Sequence, residues 1–281
     1  MTPGGPAPRR VWARRSLARV VDALDVRPRR PGVRCLSYHS IVQTDQRDPS
    51  QMTTPVSLFR EQMERLAVRG YRVEQASTVV RQLQRGVAMD AKTIVLTFDD
   101  GFANNYRLAF PLLREYGVPA TFFVITAALN GETGTLHNPW PEDYMSWDEA
   151  REMQASGLVE FGCHTATHWN LRGLADARLR DETEGAKREL EHGLGRAVTL
   201  FAYPFGSYGA WDTAAVCAIQ HAGFLGAFTT VFGVNTPVTD RFLLKRTRVS
   251  WTDDIVEFDR LLQGAYDWYA LVQRLQGLRT T

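Results

Sequence analysis

Four apolar runs in this sequence end in side chains that bind protons or metal ions. His39 follows the run 33–38. Asp99, Asp100 and Gly101 follow 93–98. His164 follows 159–163, with His168 four residues on. Tyr203, Pro204, Phe205 and Gly206 follow 197–202. If these runs are parallel strands, their ends meet on one rim, because active sites of parallel α/β folds lie at the carboxyl ends of the strands. That rim then carries two carboxylates and three histidines. One carboxylate and two imidazoles around a divalent ion leave positions open for water and substrate, which is a catalytic coordination set rather than a structural one.

Each residue also has a plainer reading. Two adjacent acids at the end of an apolar strand are costly unless they are paired or metal-bound. Their side chains diverge, so the two can hold different roles. The plain alternative is a strand-to-helix turn with Asp100 as its N-cap. The run His164-Thr165-Ala166-Thr167-His168 lacks the Glu that a zincin carries after its first His. Alone it says little. With Asp100 at a neighbouring strand end, it reads as a metal set of Asp100, His164 and His168. His39 alone is a hydrogen-bonded core histidine, but on the same rim it is a candidate general acid. His137, His192 and His221 read as ordinary surface or packing residues.

The elements that must position these residues alternate along the chain. Apolar runs suit strands near 33–38, 71–74, 93–98, 120–125, 159–163, 197–202 and 225–230, with a late one near 242–249. Helical patterns fall near 56–69, 76–86, 103–116, 147–156, 176–193, 210–222 and 253–276. Ser146 and Glu149 form a capping box. Such alternation predicts βαβ units and a parallel sheet. Seven or eight units over about 220 residues suit a (β/α) barrel better than two domains. The loop 130–144, with Gly131, Gly134, Pro139 and Pro141, reads as a lid or substrate wall.

The 281 residues are 44% hydrophobic and 23% charged, which excludes disordered, collagenous and disulfide-scaffold classes. No apolar run approaches the roughly 20 residues that cross a bilayer. Residues 1–32 carry eight arginines against Asp22 and Asp25, a net +6, which leaves −4 for the rest of the chain. A mildly acidic body is a poor nucleic-acid binder. The tail lacks the apolar block of a secretory signal, so the expectation is a cytoplasmic protein. Val11, Trp12, Leu17, Val20, Val21 and Leu24 fall near helical spacing, so residues 9–30 can meet an anionic membrane surface; the plainer reading is a flexible, solvated terminus. Cys35, Cys163 and Cys217 lack metal spacing and are expected to be buried thiols.

Three motifs then resemble a known family. Thr97-Phe98-Asp99-Asp100-Gly101, the His164–His168 run and Phe201-Ala202-Tyr203-Pro204-Phe205-Gly206 are similar to the motifs of NodB-type polysaccharide deacetylases, carbohydrate esterase family 4. Asn104-Asn105-Tyr106 and Val118-Pro119-Ala120-Thr121-Phe122-Phe123 add matching context. The resemblance runs over about residues 33–250. It implies an α/β fold, a distorted (β/α)7 barrel, in a domain of residues 33–281 that includes a C-terminal helix. It implies removal of N-acetyl groups from amino-sugar glycans with one divalent metal, expected to be Zn²⁺. By that resemblance Asp99 is the base, and Asp100, His164 and His168 are the ligands.

Two departures bear on mechanism. The family places an Arg where this chain has Ala202, and its late Leu-x-His motif is absent, since no histidine follows His221. The subgroup acting on poly-N-acetylglucosamine exopolysaccharides looks similar here, with its acid histidine in an early Tyr-His segment. Tyr38-His39 fits that arrangement. The segment 241–248 resembles a late strand of that subgroup, and Arg246 is the residue expected to replace the missing Arg beside Asp99. The expected chemistry has Asp99 deprotonating water, the Phe205 amide donating to the oxyanion and His39 protonating the amine. Tyr203, Phe205 and Trp169 are expected to face the glycan, with Trp140, Tyr144, Tyr208 and Trp211 as further flat faces. Rival readings are a deacetylase or deformylase of lipid-linked or nucleotide sugars, an inactive glycan-binding module suggested by Ala202, and a glycoside hydrolase. The last requires two carboxyl groups flanking the bond, and two adjacent histidines argue against it.

Overall fold

The computed structural model describes residues 16–20, 31–43, 52–137, 139–250 and 253–277. A parallel sheet curls through β10 (Thr247–Arg248), β1 (Arg34–Tyr38), β5 (Thr93–Phe98), β6 (Ala120–Val124), β7 (Val159–Cys163), β8 (Leu200–Ala202) and β9 (Gly226–Phe228). A short β4 (Arg72–Val73) pairs with the start of β5. The late segment closes the curl. The Leu244 carbonyl accepts from Thr229 N at 2.7 Å and the Leu244 amide donates to Ala227 O at 2.9 Å. Three residues on, β10 pairs with β1. The result is a distorted (β/α)7 barrel. A separate pair, β2 (Ser40–Val42) with β3 (Thr53–Pro55), lies outside the sequence expectation. Three residues of strand give too little alternation to register.

Successive strand residues point to opposite faces, and the two faces form separate cores. Leu36, Tyr38, Leu96, Phe98, Phe122 and Phe201 face outward into the larger cluster under the helices. There Phe98 stacks on Phe122 at 4.5 Å and on Tyr38 at 5.2 Å, contacts worth about 0.5–1.5 kcal/mol each beyond burial. Cys35, Val95, Phe123, Leu200, Ala202, Phe228 and Leu244 face inward, with Val79, Val80 and Leu83 of the helix Ala76–Gln84. That helix plugs the amino-terminal end of the barrel. Its first amides donate to Thr121 Oγ1 and Glu160 Oε1 at the starts of β6 and β7. The helix therefore covers the lower end of the interior, opposite the carboxyl ends of the strands.

The helices depart from expectation in three places. The expected 103–116 helix opens with a π-turn, Asn105–Ala109, before Phe110–Tyr116. The expected 176–193 helix is widened by a π-turn, Asp181–Gly185, between Asp176–Arg180 and Ala186–Leu194. The expected last helix breaks at Gly264 (φ 85°) into Ile255–Gln263 and Tyr269–Gly277. The capping box is present: Ser146 Oγ accepts from Glu149 N, and the Glu149 carboxylate accepts from Ser146 N. Cys35 and Cys163 are buried, while Cys217 is exposed, contrary to expectation. Helix Thr213–His221 buries only Ala215 and Ile219.

Of the tail, residues 16–20 are helical and packed against the body. Ala18 is buried, and Arg19 Nε lies 3.5 Å from Glu257 Oε1. Leu17 and Val20 are exposed. Val11, Trp12, Val21 and Leu24 of the amphipathic pattern lie outside the described residues. Among the described residues no helix is long and apolar enough to cross a membrane.

Candidate metal centre

Strand parity aims Asp99 into the barrel. Val95 and Thr97 face inward, so Asp99 does too, just past the end of β5. There its carboxylate meets Arg246, which is fully buried on the closing segment. Arg246 Nη1 donates to Asp99 Oδ1 at 2.6 Å and Nη2 to Oδ2 at 2.8 Å. The guanidinium is itself fixed: Nε donates to Thr229 O at 3.0 Å and Nη1 to Thr97 Oγ1 at 3.1 Å. It also lies 5.4 Å from the centre of the Phe123 ring. Burial alone pushes the Asp99 carboxyl up, but Arg246 and the neighbouring histidines more than offset it, so it titrates below the ordinary carboxylate range. His39 Nε2 lies 3.8 Å from Asp99 Oδ2. Burial holds His39 below its ordinary value, against the upward pull of Asp99 and Asp100.

Asp100 turns away from the interior at φ 71°. Its Oδ1 is 3.4 Å from both His164 Nε2 and His168 Nε2. The three ligand atoms lie within 4.8 Å of one another. Each imidazole is oriented from behind, His164 Nδ1 lying 2.8 Å from Ala202 O and His168 Nδ1 3.4 Å from His137 O. Carbonyls behind Nδ1 place the ring proton there and leave Nε2 as the donor atom. Burial pushes His168 down to about 4. His164 is raised, because Asp100 outweighs its desolvation. Burial raises Asp100, and the two histidines bring it well below the carboxylate range. One anionic oxygen and two imidazole nitrogens, converging and buried, suit a divalent cation.

The backbone marks the same rim. Among the described residues the non-glycine residues with positive φ are Asp100 (71°), Thr165 (69°), His168 (63°) and Phe205 (62°). Such conformations cost about 1–3 kcal/mol each and persist where the surroundings over-determine them. Gly101 (φ 81°) completes the turn after Asp100, where a Cβ would meet Val124 at 3.1 Å.

Of the expected glycan contacts, Phe205 is 43% exposed and its ring lies 5.1 Å from that of His168. Trp169 is half-buried and stacks on His137 at 4.1 Å. Tyr203 is a correction. Ala202 faces inward, so Tyr203 faces outward into the core under the helices. It is fully buried, and its hydroxyl donates to Phe242 O at 3.0 Å. Tyr144 and Trp140 belong to a loop pinned beside the centre, where Ala103 N donates to Asp143 O and Met145 N to Gly101 O. Two participants escaped the sequence reading. His137 offers its carbonyl to His168 and its ring to Trp169. Glu182 is fully buried and accepts from Thr167, inside the ligand loop. Its three-residue spacing from Leu179, on the helix face that also buries Ala186 and Leu190, was the available signal.

A family model described as polysaccharide deacetylase matches residues 86–224. Residues 86–224 carry a polysaccharide deacetylase domain. A candidate polysaccharide deacetylase of Bacillus subtilis (strain 168), YxkH, is 26% identical over 215 residues, covering 76% of this chain and 70% of that protein. The poly-beta-1,6-N-acetyl-D-glucosamine N-deacetylase of Staphylococcus aureus (strain MRSA252) is 28% identical over 174 residues. That match covers 59% of this chain but only 57% of the staphylococcal protein, so the chain spans less than two thirds of its length. Among solved structures, IcaB from Ammonifex degensii superposes with a TM-score of 0.69 at 25% identity, covering 84% of this chain and 98% of that one. The Streptococcus pyogenes deacetylase PplD shares the fold, with a TM-score of 0.71 at 23% identity over 84% of this chain and 99% of PplD.

Proposed function

We propose that this deacetylase is metal-dependent, that Asp100, His164 and His168 hold one divalent ion, expected to be Zn²⁺, and that it releases acetate from a polymer of N-acetylated amino sugars. The reading is carried by one observation: the Asp99–Arg246 pair and the Asp100, His164 and His168 set converge on one buried rim. The kinship with a poly-N-acetylglucosamine deacetylase supports the substrate class.

A divalent ion at that set supplies Lewis acidity toward an amide carbonyl and makes water a stronger acid. The chain's own residues supply the rest. Asp99 is held in one rotamer by two parallel charge-assisted hydrogen bonds, and it takes the proton of the attacking water. The Phe205 amide is the oxyanion donor, an interaction worth roughly 2.7–4 kcal/mol where such donors have been removed. His39, which follows β1 and lies 3.8 Å from Asp99, gives a proton to the departing amine. The Trp169, His137 and Phe205 rings form an apolar wall for sugar faces. An Arg on the closing segment in place of the family's Arg at position 202 favours an active enzyme over an inactive glycan-binding module.

The test is acetate release from N-acetylglucosamine oligomers of graded length, with metal stripped and restored. Release must stop on stripping and return on restoration, and it must rise with chain length. Activity confined to nucleotide or lipid-linked sugars would replace the polymer reading. The arginines of residues 9–30 are proposed to contact anionic membrane surfaces, at roughly 1 kcal/mol for each residue near the surface. Co-sedimentation with anionic vesicles must then fall with salt and with deletion of residues 1–15.

A further inference from the structure

The loop that carries both histidine ligands is strained, and its anchors are mostly backbone. Thr126 N donates to Thr165 O at 3.3 Å, Ala127 N to Ala166 O at 3.0 Å and His137 N to Thr167 O at 2.8 Å. Within the loop, His168 N donates to Thr165 Oγ1 at 2.8 Å. Two charged side chains of the neighbouring helical run, Glu182 and Arg178, reach the loop. Glu182 accepts from Thr167 N at 2.9 Å and from Thr167 Oγ1 at 2.6 Å. Arg178 donates to Glu182 Oε1 at 2.8 Å and to Thr167 Oγ1 at 2.8 Å. The Thr167 hydroxyl thus accepts from Arg178 and gives its proton to Glu182, so its direction is fixed. Arg178 also lies 5.7 Å from the centre of the Trp169 ring, which stacks on His137, whose carbonyl faces His168 Nδ1. The contacts close a circuit around His168.

Helix geometry adds a second observation. Glu182 is placed by the π-turn Asp181–Gly185, a local widening of an otherwise α-helical run. Such turns carry a cost in regular packing and recur at functional sites. A carboxylate buried without partners is strongly disfavoured. Here every partner is either in the ligand loop or is the arginine that also touches it.

We propose that Glu182 is a positioning residue for the metal centre: it holds Thr167, and through it His168, in the left-handed geometry that brings both Nε2 atoms to Asp100. The inference rests on the metal assignment proposed above. Partners behind a ligand typically change metal affinity about 10–100-fold when removed. The test uses the full chain, stripped of metal, with Zn²⁺ affinity read by competition with a chromophoric chelator. Glu182→Ala should bind Zn²⁺ about 10–100-fold more weakly. Glu182→Gln, which keeps an acceptor oxygen for Thr167, should recover part of that loss. Thr167→Val, which loses only the hydroxyl arm, should shift the same way. Glu184→Gln, exposed on the same turn, should match wild type. A merely structural role would lower the thermal midpoint of the metal-free variants and leave affinity unmoved. A folded Glu182→Ala protein with wild-type affinity overturns the proposal. If that variant does not fold, Thr167→Val with wild-type affinity overturns it instead. Wild-type protein that takes up no Zn²⁺ overturns the metal assignment itself, a result distinct from equal binding by wild type and variant.

Discussion

Asp99 and His168 stand on one rim but are held there by different means. Asp99 continues the alternation of β5, and its partner Arg246 comes from the segment that closes the barrel. Both are fixed by side-chain charge within the buried interior. His168 ends a loop in which two residues have positive φ, and its position depends on backbone hydrogen bonds and on Glu182. On the reading proposed above, the barrel wall supplies a rigid base, and the loop supplies ligands whose geometry must be maintained against strain. Damage to the wall side should therefore change chemistry and leave metal in place, while damage to the loop side should release metal first.

The sharpest way to break that contrast is to remove one residue from each side. His168→Ala should lose both metal and turnover, with the metal-free fold intact. Asp99→Asn should lose turnover and keep one equivalent of metal. Metal content measured beside acetate release separates the two. If His168→Ala retains stoichiometric metal, the loop does not carry the ligand set.

His39 comes next. It lies on the wall side, so His39→Ala should cut turnover about 10²–10⁴-fold without loss of metal. A general acid must be protonated before it acts. Burial holds the folded His39 below its ordinary 6.5. Wild-type kcat/KM should therefore fall as pH rises through that lowered value, and the variant should lack this alkaline limb. A variant that keeps the limb would move the acid elsewhere.

Arg246 tests the wall's rigidity. Arg246→Lys keeps the charge and loses the two-bond grip, so turnover should fall about tenfold, equivalent to about 1.4 kcal/mol. Metal content should hold. Arg246→Ala leaves a buried carboxylate unpaired and should destabilise the protein by about 3–5 kcal/mol, measured by denaturant unfolding. Wild-type rate and stability in both variants would deny the guanidinium any role in fixing Asp99.

The same contrast decides how much was legible in sequence. The wall half follows from periodicity. Alternation along β5 aims Asp99 inward, and alternation along 244–248 aims Arg246 at it. Tyr203 shows the cost of ignoring that rule: its neighbour Ala202 faces inward, so Tyr203 had to face the outer core. The loop half has no period. The positive φ of Thr165 and His168 is not written in their residue types, since neither is a glycine. Glu182 and His137 reach the site through tertiary contacts 15 and 31 residues away in sequence. The π-turns and the break at Gly264 each fall inside a run whose flanking residues keep helical apolar spacing, so the run reads as one continuous helix.

The smallest effect should come from a pair of shape-conserving substitutions, one on each side. Thr97→Val removes the hydroxyl that donates to Leu36 O at 2.9 Å and accepts from Arg246 Nη1 at 3.1 Å. A hydrogen bond of this kind contributes about 0.5–1.5 kcal/mol. Arg246 keeps both bonds to Asp99 and its bond to Thr229 O, so turnover should change less than threefold, on the order of 0.6 kcal/mol. Thr165→Val removes the acceptor of His168 N. Its cost in stability should be similar, about 1 kcal/mol. Its effect on metal should not be, because that bond fixes the backbone of a ligand residue held at φ 63°; Zn²⁺ affinity should drop about tenfold. Chelator competition and denaturant unfolding on the two variants measure both quantities. Equal Zn²⁺ affinity in the two variants, at equal stability, would mean that the strained loop is as well determined as the barrel wall, and the contrast between the halves would fail.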